Sequence, residues 1–353
     1  MTNNKKRFSD YKSSLTVNKT ATGYLSSGKL NSIADVAGVT VGHVTKIEGA
    51  DIRTGVTVID PGIKNLFRNK LQCAVYVGNG YGKMVGTTQI DELGTLETPI
   101  ALTNTLAVGP VMRGLIDLTI KETPDLGPTE SINAVVGEVN DGILNNIQLN
   151  SVSPSDVLKA FENRSEIFEL GNVGAGTGTR CFSWKGGIGT ASREIKVGSN
   201  KFTVGVLTQT NFGGSLNILG IPFGKILGKT DFVVEKDLPD GSCMSVIATD
   251  APLSSRQLKR LAKRMPLGLA RTGSIMSSGS GDYAIAFATN KTGSEISDND
   301  LNNFFLAVVE SVEESVYDAL FAAGKMSGRS ENVLEQLPID QVIETLQKNY
   351  VFS

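Results

Sequence analysis

The sequence predicts a mixed fold in which helices and strands share the chain and the strands form large sheets. Short β-branched stretches, such as Val56-Thr57-Val58-Ile59, alternate with Gly, Asp and Pro, a pattern typical of strand–turn–strand structure. Apolar residues at helical spacing recur between the strands, as in residues 254–265. Hydrophobic residues make up 40% of the 353 positions, enough for one large domain or two ordinary ones.

In the first half of the chain, the predicted elements follow a polar N-terminal segment. Residues 1–30 are rich in Asn, Lys, Ser and Thr, which predicts a loose or surface-wrapped arm. The predicted elements after this arm are strands at 39–41, 56–59, 73–77 (ended by Gly78-Asn79-Gly80), 99–103 and 134–137, and helices at 108–120 and from Ser153-Pro154 onward.

In the second half, a glycine-dense centre at residues 171–193 precedes further strands and helices. The fragment 180–184 within it has strand character. The remaining predicted elements are strands at 201–207, 245–248 and 283–287, a helix at 254–265 stopped by Pro266, a long helix at 298–323 closed by Gly324, and a last helix at 338–347.

Composition excludes several classes of function. The net charge is −2, so the chain has no positive excess for a nucleic-acid backbone. A single histidine, His43, rules out histidine-rich metal sites and the HExxH metalloprotease motif. Three widely spaced cysteines form no CxxC pair and suggest a reducing compartment. With no secretory signal pattern and no apolar run long enough for a transmembrane helix, we expect a cytoplasmic protein that uses neither membrane nor nucleic acid.

Two glycine-rich segments imitate nucleotide-binding motifs without matching them. In Gly174-Ala175-Gly176-Thr177-Gly178 the third glycine falls one place early, and a strand rather than a helix follows. In Gly228-Lys229-Thr230 the glycine that a phosphate-binding loop requires five places earlier is replaced by Phe223. We interpret the first as a glycine-rich turn or the wall of a site, and we expect no phosphate site at the second.

The dipeptide Gly241-Ser242 has two readings. Pro239-Asp240-Gly241 is ordinary turn chemistry. The same glycine directly before a buried strand also suits a self-cleaving bond, in which the Ser242 hydroxyl attacks the Gly241 carbonyl and the ester is then hydrolysed. Ser242 would become an N-terminus whose α-amine has an ordinary pKa of about 7.7–8.0 and can serve as the base. Such a nucleophile needs no histidine.

The segment Ser278-Gly279-Ser280-Gly281-Asp282 is a second candidate site. Its conventional interpretation is a flexible Ser/Gly loop. Ser280 and Asp282 are two residues apart immediately before a strand, and period-two alternation places their side chains on one face if the strand begins there. A carboxylate that polarises a hydroxyl facing the nucleophile would be a relay without histidine.

Other polar residues are weaker candidates. Asn211, after a predicted strand, is either a turn residue or the donor of a side-chain amide to an oxyanion. Glu138, after another strand, is either a surface carboxylate or the anchor of a substrate ammonium, and we include the neighbouring Asn140 as a binding residue. His43 is interpreted as structural. Cys243 is interpreted as packing, because alternation points it away from Ser242.

The motifs together resemble the L-aminopeptidase/D-esterase–amidase family, the DmpA-type enzymes that include the β-aminopeptidases. The resemblance spans roughly residues 31–325. Its carriers are NSIADVAGVTVGHVT, RTGVTVIDP, LETPIALTNTLAVG, VVGEVNDGILN, GNVGAGTGTRCFSWKGGIGTASR, TVGVLTQTNFGG, DGSCMSVIATDAPL and GLARTGS.

The resemblance implies an α+β fold, an αββα four-layer sandwich of the DmpA/ornithine-acetyltransferase type. Residues 31–353 would form one catalytic domain, self-cleaved into chains 1–241 and 242–353. It maps the nucleophile to Ser242, the Ser–acid pair to Ser280 and Asp282, and the oxyanion amide to Asn211. It maps the ammonium-binding glutamate to Glu138. It also implies a tetramer of processed units and no cofactor or metal.

Three departures from the family pattern bear on substrate preference rather than on reaction type. Ile143 stands where members often carry an aromatic residue, the segment 103–109 reads TNTLAVG rather than TNTHSVG, and the acid is Asp282 rather than Glu. The sequence therefore predicts an aminopeptidase or amidase acting on small peptides, amides or esters with a free amine. The alternatives are an acyltransferase of the ornithine-acetyltransferase type and an uncleaved scaffold that keeps the fold.

Overall fold

A computed structural model describes residues 6–11, 23–231, 241–290 and 296–349. In chain order the helices are α1 (Thr87–Leu93), α2 (Val108–Glu122), α3 (Pro154–Glu162), α4 (Phe223–Ile226), α5 (Ser255–Ala262), α6 (Met265–Arg271), α7 (Leu301–Ala322) and α8 (Ile339–Asn349). The strands are β1 (Thr40–Glu48), β2 (Ile52–Asp60), β3 (Leu71–Gly80), β4 (Met84–Val85), β5 (Thr95–Leu96), β6 (Ile100–Asn104), β7 (Val135–Val139), β8 (Arg180–Cys181), β9 (Trp184–Lys185), β10 (Ile188–Val197), β11 (Asn200–Asn211), β12 (Ser242–Thr249), β13 (Gly281–Ala288), β14 (Met326–Ser327) and β15 (Val333–Leu334).

Two large sheets stack between two layers of helices. The first sheet has the strand order β1-β2-β6-β7-β4, and helices α2 and α3 cover its outer face. The second has the order β10-β11-β12-β13-β3-β5, and helices α5, α6 and α7 form the layer on its outer side. This arrangement is the predicted αββα sandwich.

Apolar residues fill each of the three interlayer spaces. One cluster lies between the sheets and includes Met244 and Tyr283, and a second lies between the six-stranded sheet and its helices and includes Cys243 and Ala284. A third joins the five-stranded sheet to α2 and α3. Because neighbouring residues of a strand point to opposite faces, the central strands carry apolar residues on both. Their sequences therefore read as continuous hydrophobic runs.

Most predicted elements are present, and several differ in boundary or type. The fragment 180–184, predicted as one strand, is the hairpin of β8 and β9, and helix α1 was not predicted. The strand expected to end before Gly78 continues to Gly80, with a register irregularity opposite Asp282 and Tyr283. Pro266 does not simply stop a helix, because it lies in the first turn of α6, where its missing N–H costs nothing. The strand β10 was not predicted, since its Ser192 and Arg193 look like surface residues.

The buried polar residues of β10 are held by α7. Arg193 is ion-paired with Glu310 at 2.9 Å and with Glu314 at 2.7 Å, and all three side chains are almost wholly buried. A buried charge is tolerated only when it is paired in this way. Periodicity read from one strand cannot reveal a partner that lies more than a hundred residues away.

The described parts of the predicted arm rest on α7. Phe8 is buried, with its ring 5.2 Å from that of Tyr317, and Arg7 is ion-paired with Asp318. Residues 1–5 and 12–22 of the arm lie outside the described residues. Among the helices that the structure describes, none combines the length and hydropathy of a membrane span.

Candidate active site

Three strand ends meet at one edge of the six-stranded sheet and place the predicted nucleophile between two neighbours. Ser242 is the first residue of β12. Asn211, the last residue of β11, is its antiparallel partner, and Gly281, the first residue of β13, is its parallel partner. Cross-strand partners carry their side chains on the same face. The Asn211 amide and the Ser242 hydroxyl therefore share the face that looks toward the other sheet.

The peptide bond between Gly241 and Ser242 is buried and closely held. Ser242 Oγ donates a hydrogen bond to the Gly241 carbonyl oxygen at 2.5 Å, and the Gly281 backbone N–H donates to the same oxygen at 3.2 Å. A Cβ added to Gly241 would lie 3.1 Å from Ser280 Oγ and 3.3 Å from Phe212, closer than ordinary contact, so the absence of a side chain matters here. The first residues of the predicted turn, 238–240, lie outside the described residues.

Ser280 and Asp282 lie beside Gly241, on the other face of the sheet from the Ser242 hydroxyl. Asp282 is paired in register with Cys243, whose side chain belongs to the helix-side core, whereas Ser242 shares its face with Met244. Because a Cβ built on Gly241 would lie 3.1 Å from Ser280 Oγ, the Ser280 hydroxyl lies close to Gly241. The pair therefore approaches the Gly241–Ser242 bond from the face opposite the Ser242 hydroxyl.

Burial shapes the electrostatics of this pair. Asp282 has no exposed surface, and burial raises the pKa of its carboxyl to about 6, against a smaller opposing effect of the Ser280 hydroxyl. Neither Ser280 Oγ nor either Asp282 oxygen makes a hydrogen bond of ordinary length to another described residue. A buried carboxyl that titrates near neutrality beside a reactive bond is typical of a functional site.

Asn211 is held by hydrogen bonds at both ends of its amide. Its Oδ1 accepts the Arg180 backbone N–H at 3.1 Å, and its Nδ2 donates to the Asn140 carbonyl oxygen at 2.9 Å. The second N–H of Nδ2 has no acceptor among the described residues and remains for a substrate oxygen. Asn211 is thus a strand residue rather than the turn residue that the sequence also allowed.

Glu138 lies inside β7 rather than after it, and it is buried rather than exposed on the surface. Its Oε1 accepts the backbone N–H of Lys83 at 2.8 Å, and the Lys83 ammonium lies 3.6 Å from the same oxygen. Its Oε2 is buried with no partner among the described residues. A buried carboxylate with one free oxygen favours a cationic group of a ligand.

A cleft of about 480 Å³ joins Glu138 to Ser242. Its lining residues come from the loop after β3, from the ends of β6 and β7, and from the Gly241–Ser242 segment, and they include Gly80, Tyr81, Gly82, Lys83, Thr105, Glu138, Asn140, Gly241 and Ser242. Sequence analysis did not single out Tyr81 or Lys83, which lie in no motif, and it did not name Thr105 as a site residue although Thr105 lies in the TNTLAVG segment.

Asn140 and Asp141, which follow β7, make contacts that hold neighbouring residues in place. Asn140 is exposed, and its Oδ1 accepts the Gly142 N–H at 3.0 Å while its carbonyl holds Asn211. Asp141, which sequence analysis also missed, is buried and accepts the Asn145 amide at 2.9 Å. Burial raises the pKa of the Asp141 carboxyl to about 7. The tight-turn pattern Asn140-Asp141-Gly142 was the sequence signal that could have pointed to Asp141.

The residues interpreted as structural lie outside the cleft lining, with Cys243 buried and His43 half-buried. His43 Nδ1 lies 2.9 Å from Thr57 Oγ1, and burial lowers the pKa of its imidazole to about 4. Cys243 is buried in the helix-side core, where burial raises the pKa of its thiol well above the usual value. No group of three or more metal-ligating side chains occurs within the described ranges.

The αββα sandwich, with Ser242 at the start of a central strand, fits the fold of the N-terminal-nucleophile hydrolases. Comparison with known proteins agrees. The family model for peptidase family S58 matches residues 31–334, so the chain belongs to that family. It is an enzyme that hydrolyses peptide bonds, with the function of an aminopeptidase.

Relatives and solved structures extend the similarity over most of the chain. The chain is 35% identical to the β-peptidyl aminopeptidase BapA of Sphingosinicella xenopeptidilytica, over 92% of this chain and 88% of the relative. A β-aminopeptidase from Burkholderia sp. superposes with a TM-score of 0.87 at 35% identity, covering 99% and 100% of the two chains. The L-aminopeptidase D-Ala-esterase/amidase of Ochrobactrum anthropi, described as a variant of the Ntn hydrolase fold, gives 0.84 at 32% identity, covering 93% and 96%.

Proposed function

We propose that the chain cleaves itself between Gly241 and Ser242 and then removes N-terminal residues from short peptides and amides with Ser242 as the nucleophile. The observation that carries the proposal is the contact of Ser242 Oγ with the Gly241 carbonyl, 2.5 Å from oxygen to oxygen, in a buried bond that the Gly281 N–H also contacts.

Self-cleavage would proceed by an N-to-O acyl shift. Ser242 Oγ bonds to the Gly241 carbonyl carbon, and the Gly281 N–H donates a hydrogen bond to the developing oxyanion. The C–N bond then breaks, and the nitrogen takes the proton that Oγ loses. Water hydrolyses the resulting ester and leaves a carboxylate on Gly241 and a free hydroxyl and α-amine on Ser242. The Ser280 hydroxyl lies close to Gly241, so Ser280 and Asp282 are the pair that we propose assists protonation of the nitrogen.

Peptide hydrolysis would use the same hydroxyl in the opened cleft. The substrate ammonium pairs with Glu138, which offers a buried and unpartnered oxygen. Ser242 Oγ attacks the substrate carbonyl and transfers its proton to its own α-amine, since Asp282 of the Ser280–Asp282 pair lies on the other face of the sheet from the hydroxyl. The Asn211 amide stabilises the oxyanion. The amine leaves with a proton, and water then releases the acyl group from Ser242.

Relatives suggest the order in which substrates should be tested. The BapA and Burkholderia proteins are named for β-peptides, whereas the Ochrobactrum enzyme is named for L-amino acids and D-alanine derivatives. We therefore propose β-amino acid amides first, with L-α and D-α amides as the comparison. An acyltransferase is the other enzymatic candidate, and it would transfer the acyl group to an amine in preference to water.

Three further expectations remain proposals. The family resemblance implies a homotetramer of processed units, which light scattering would measure. The three cysteines are all free, which supports a reducing, cytoplasmic location. The domain division into a 1–241 chain and a 242–353 chain in one folded unit is a consequence of the cleavage proposed above.

Intact-mass analysis beside a denaturing gel tests the maturation. Prorating 37.4 kDa by length, we expect wild type to give chains of roughly 25 and 12 kDa, the smaller beginning at Ser242. Ser242→Ala should remain one chain, and Ser278→Ala, which removes an exposed hydroxyl of the neighbouring loop, should cleave like wild type. A single full-length chain in wild type would contradict self-cleavage and favour the uncleaved scaffold.

A further inference from the structure

A second cleft, of about 520 Å³, begins where the first one ends. Both clefts are lined by Asn140, and the second is also lined by Asn211, the cross-strand partner of Ser242. The nucleophile therefore lies at their junction. A peptide whose ammonium pairs with Glu138 has its acyl residue in the first cleft and its carbonyl at Ser242. Its leaving residue must then extend into the second.

The second cleft is cationic. Two arginines, Arg180 and Arg329, and no Asp or Glu lie among its lining residues. The Arg180 charge is already balanced, because its guanidinium is ion-paired with Asp231 at 2.7 Å. Arg329 is half-buried, and no carboxylate of the described residues pairs with it. Its Nε donates to the Gly142 carbonyl at 3.1 Å. The remaining guanidinium N–H groups have no acceptor in the described part of the chain.

The turn that carries Arg329 is rigidly docked beside the active site. It connects β14 to β15, and the Arg329 backbone N–H donates to the Leu144 carbonyl at 2.8 Å while the Asn332 amide donates to the Ile143 carbonyl at 2.9 Å. Ser330 and Glu331 both have positive φ, at 55° and 59°. Two adjacent non-glycine residues in that region cost stability, and such strain is concentrated at functional sites.

We propose that Arg329 binds the C-terminal carboxylate of the leaving group, so that the preferred substrates are short peptides with both termini free. The inference rests on the proposed aminopeptidase function and extends it to the leaving side. The Arg329 guanidinium pairs with no carboxylate of the described residues, and its Nε contact orients it. Such a group can bind both oxygens of a carboxylate at once. Binding of the ammonium at Glu138 and of the carboxylate at Arg329 would together select substrates by the distance between their two termini.

Matched substrates separate this contact from general activity. The acids are a dipeptide and the corresponding tripeptide, and the references are the dipeptide C-terminal amide and an amino acid p-nitroanilide. We expect wild type to favour one of the acids over the dipeptide amide by about tenfold or more in kcat/KM. In Arg329→Gln that preference should disappear because KM for the acids rises. Turnover of the amide and the anilide should stay within about twofold of wild type. Arg329→Lys, which keeps the charge but loses the planar fork, should retain part of it.

The control variant is Lys325→Gln, which removes one positive charge from the residues just before the same hairpin, where Lys325 is exposed and paired with Glu335. It should leave the acid preference unchanged. Wild type that hydrolyses both acids and the amide equally well would overturn the assignment, as would Arg329→Gln that slows every substrate alike. Wild type that hydrolyses none of the substrates would overturn the proposed function and this assignment with it.

Discussion

Asn211 lies directly opposite Ser242 across two antiparallel strands, and its amide is held by the carbonyl of Asn140 at 2.9 Å and by the Arg180 N–H at 3.1 Å. The amide is therefore fixed before any substrate arrives. Preorganised donors are effective because they need no reorientation as charge develops on a carbonyl oxygen. The Gly241 carbonyl, in contrast, uses the N–H of Gly281.

Separate donors for these two oxygens predict that processing and turnover respond differently to Asn211→Ala. The variant should still cleave itself, whereas its kcat on an amide substrate should fall by about a hundredfold to a thousandfold. The fall should appear in kcat more than in KM. Processing by intact mass and initial rates on the same preparation measure both. An unprocessed variant, or a processed one of normal kcat, would contradict the assignment.

Removing the charge of Glu138 should weaken recognition of the substrate amine. Glu138→Gln keeps the size of the side chain and an oxygen for the Lys83 N–H, but it removes the buried negative charge. We expect kcat/KM for a free-amine substrate to fall by at least about tenfold. Glu130→Gln, which removes an exposed carboxylate paired with Arg68, is the matched control and should change little. Equal losses in the two variants would refute an ammonium site.

In the proposed site, Lys83 would compete with the substrate ammonium for the Glu138 carboxylate. Its ammonium is 3.6 Å from Glu138 Oε1, and it also donates to Thr105 Oγ1 at 2.9 Å. Lys83→Met removes a like charge from the proposed ammonium site, while the backbone N–H that holds Glu138 remains. We expect KM for amine substrates to fall a few-fold, because an exposed charge in water has a modest effect. A clear rise in KM would instead show that the lysine helps to bind the substrate.

The buried carboxyl of Asp282 predicts a pH dependence of stability. Its folded-state pKa of about 6 is above the ordinary 3.8, so between these values the folded state holds the proton more tightly than the unfolded one. The free energy of unfolding should fall as pH rises from about 4 to about 6, by about 2–3 kcal/mol in total. Asp282→Asn should lack this decline and be relatively more stable at pH 7.

Denaturant titrations of both proteins, made in the uncleaved Ser242→Ala background, measure the effect. That background keeps processing from differing between them. Asp141, with its pKa raised to about 7, contributes a decline of its own at higher pH, and the difference between the two curves removes it. Identical slopes with and without Asp282 would show that its carboxyl stays charged when folded.

Much of this architecture could be predicted from local sequence, for reasons visible in particular elements. Strands β2, β6 and β12 are buried on both faces and contain short apolar runs such as Ile100-Ala101-Leu102 and Val246-Ile247-Ala248. Helix α5 begins at a capping box formed by Ser254 and Gln257. The glycine before a buried strand drew attention to Gly241 and Ser242, and the motif order indicated the family.

What the sequence could not supply was distance between separate elements. Arg193 in β10 looked like a surface residue because its partners lie on α7. Lys83 and Arg329 belong to no motif, and only the folded structure shows which cleft each of them lines. The position of Asp282 on the sheet face opposite the Ser242 hydroxyl also depends on the register between β12 and β13, which pairing alone determines.

The central claim is that Ser242, once it is an N-terminus, carries the acyl group during turnover. The most direct test is to mix processed enzyme with an amino acid ester, quench with acid within the first turnovers, and measure the masses of both chains. We predict that the 242–353 chain gains one aminoacyl group, located on Ser242 by fragmentation, while the 1–241 chain is unchanged. An adduct on the 1–241 chain or on Ser280, or rapid hydrolysis with no adduct on either chain, would contradict the account.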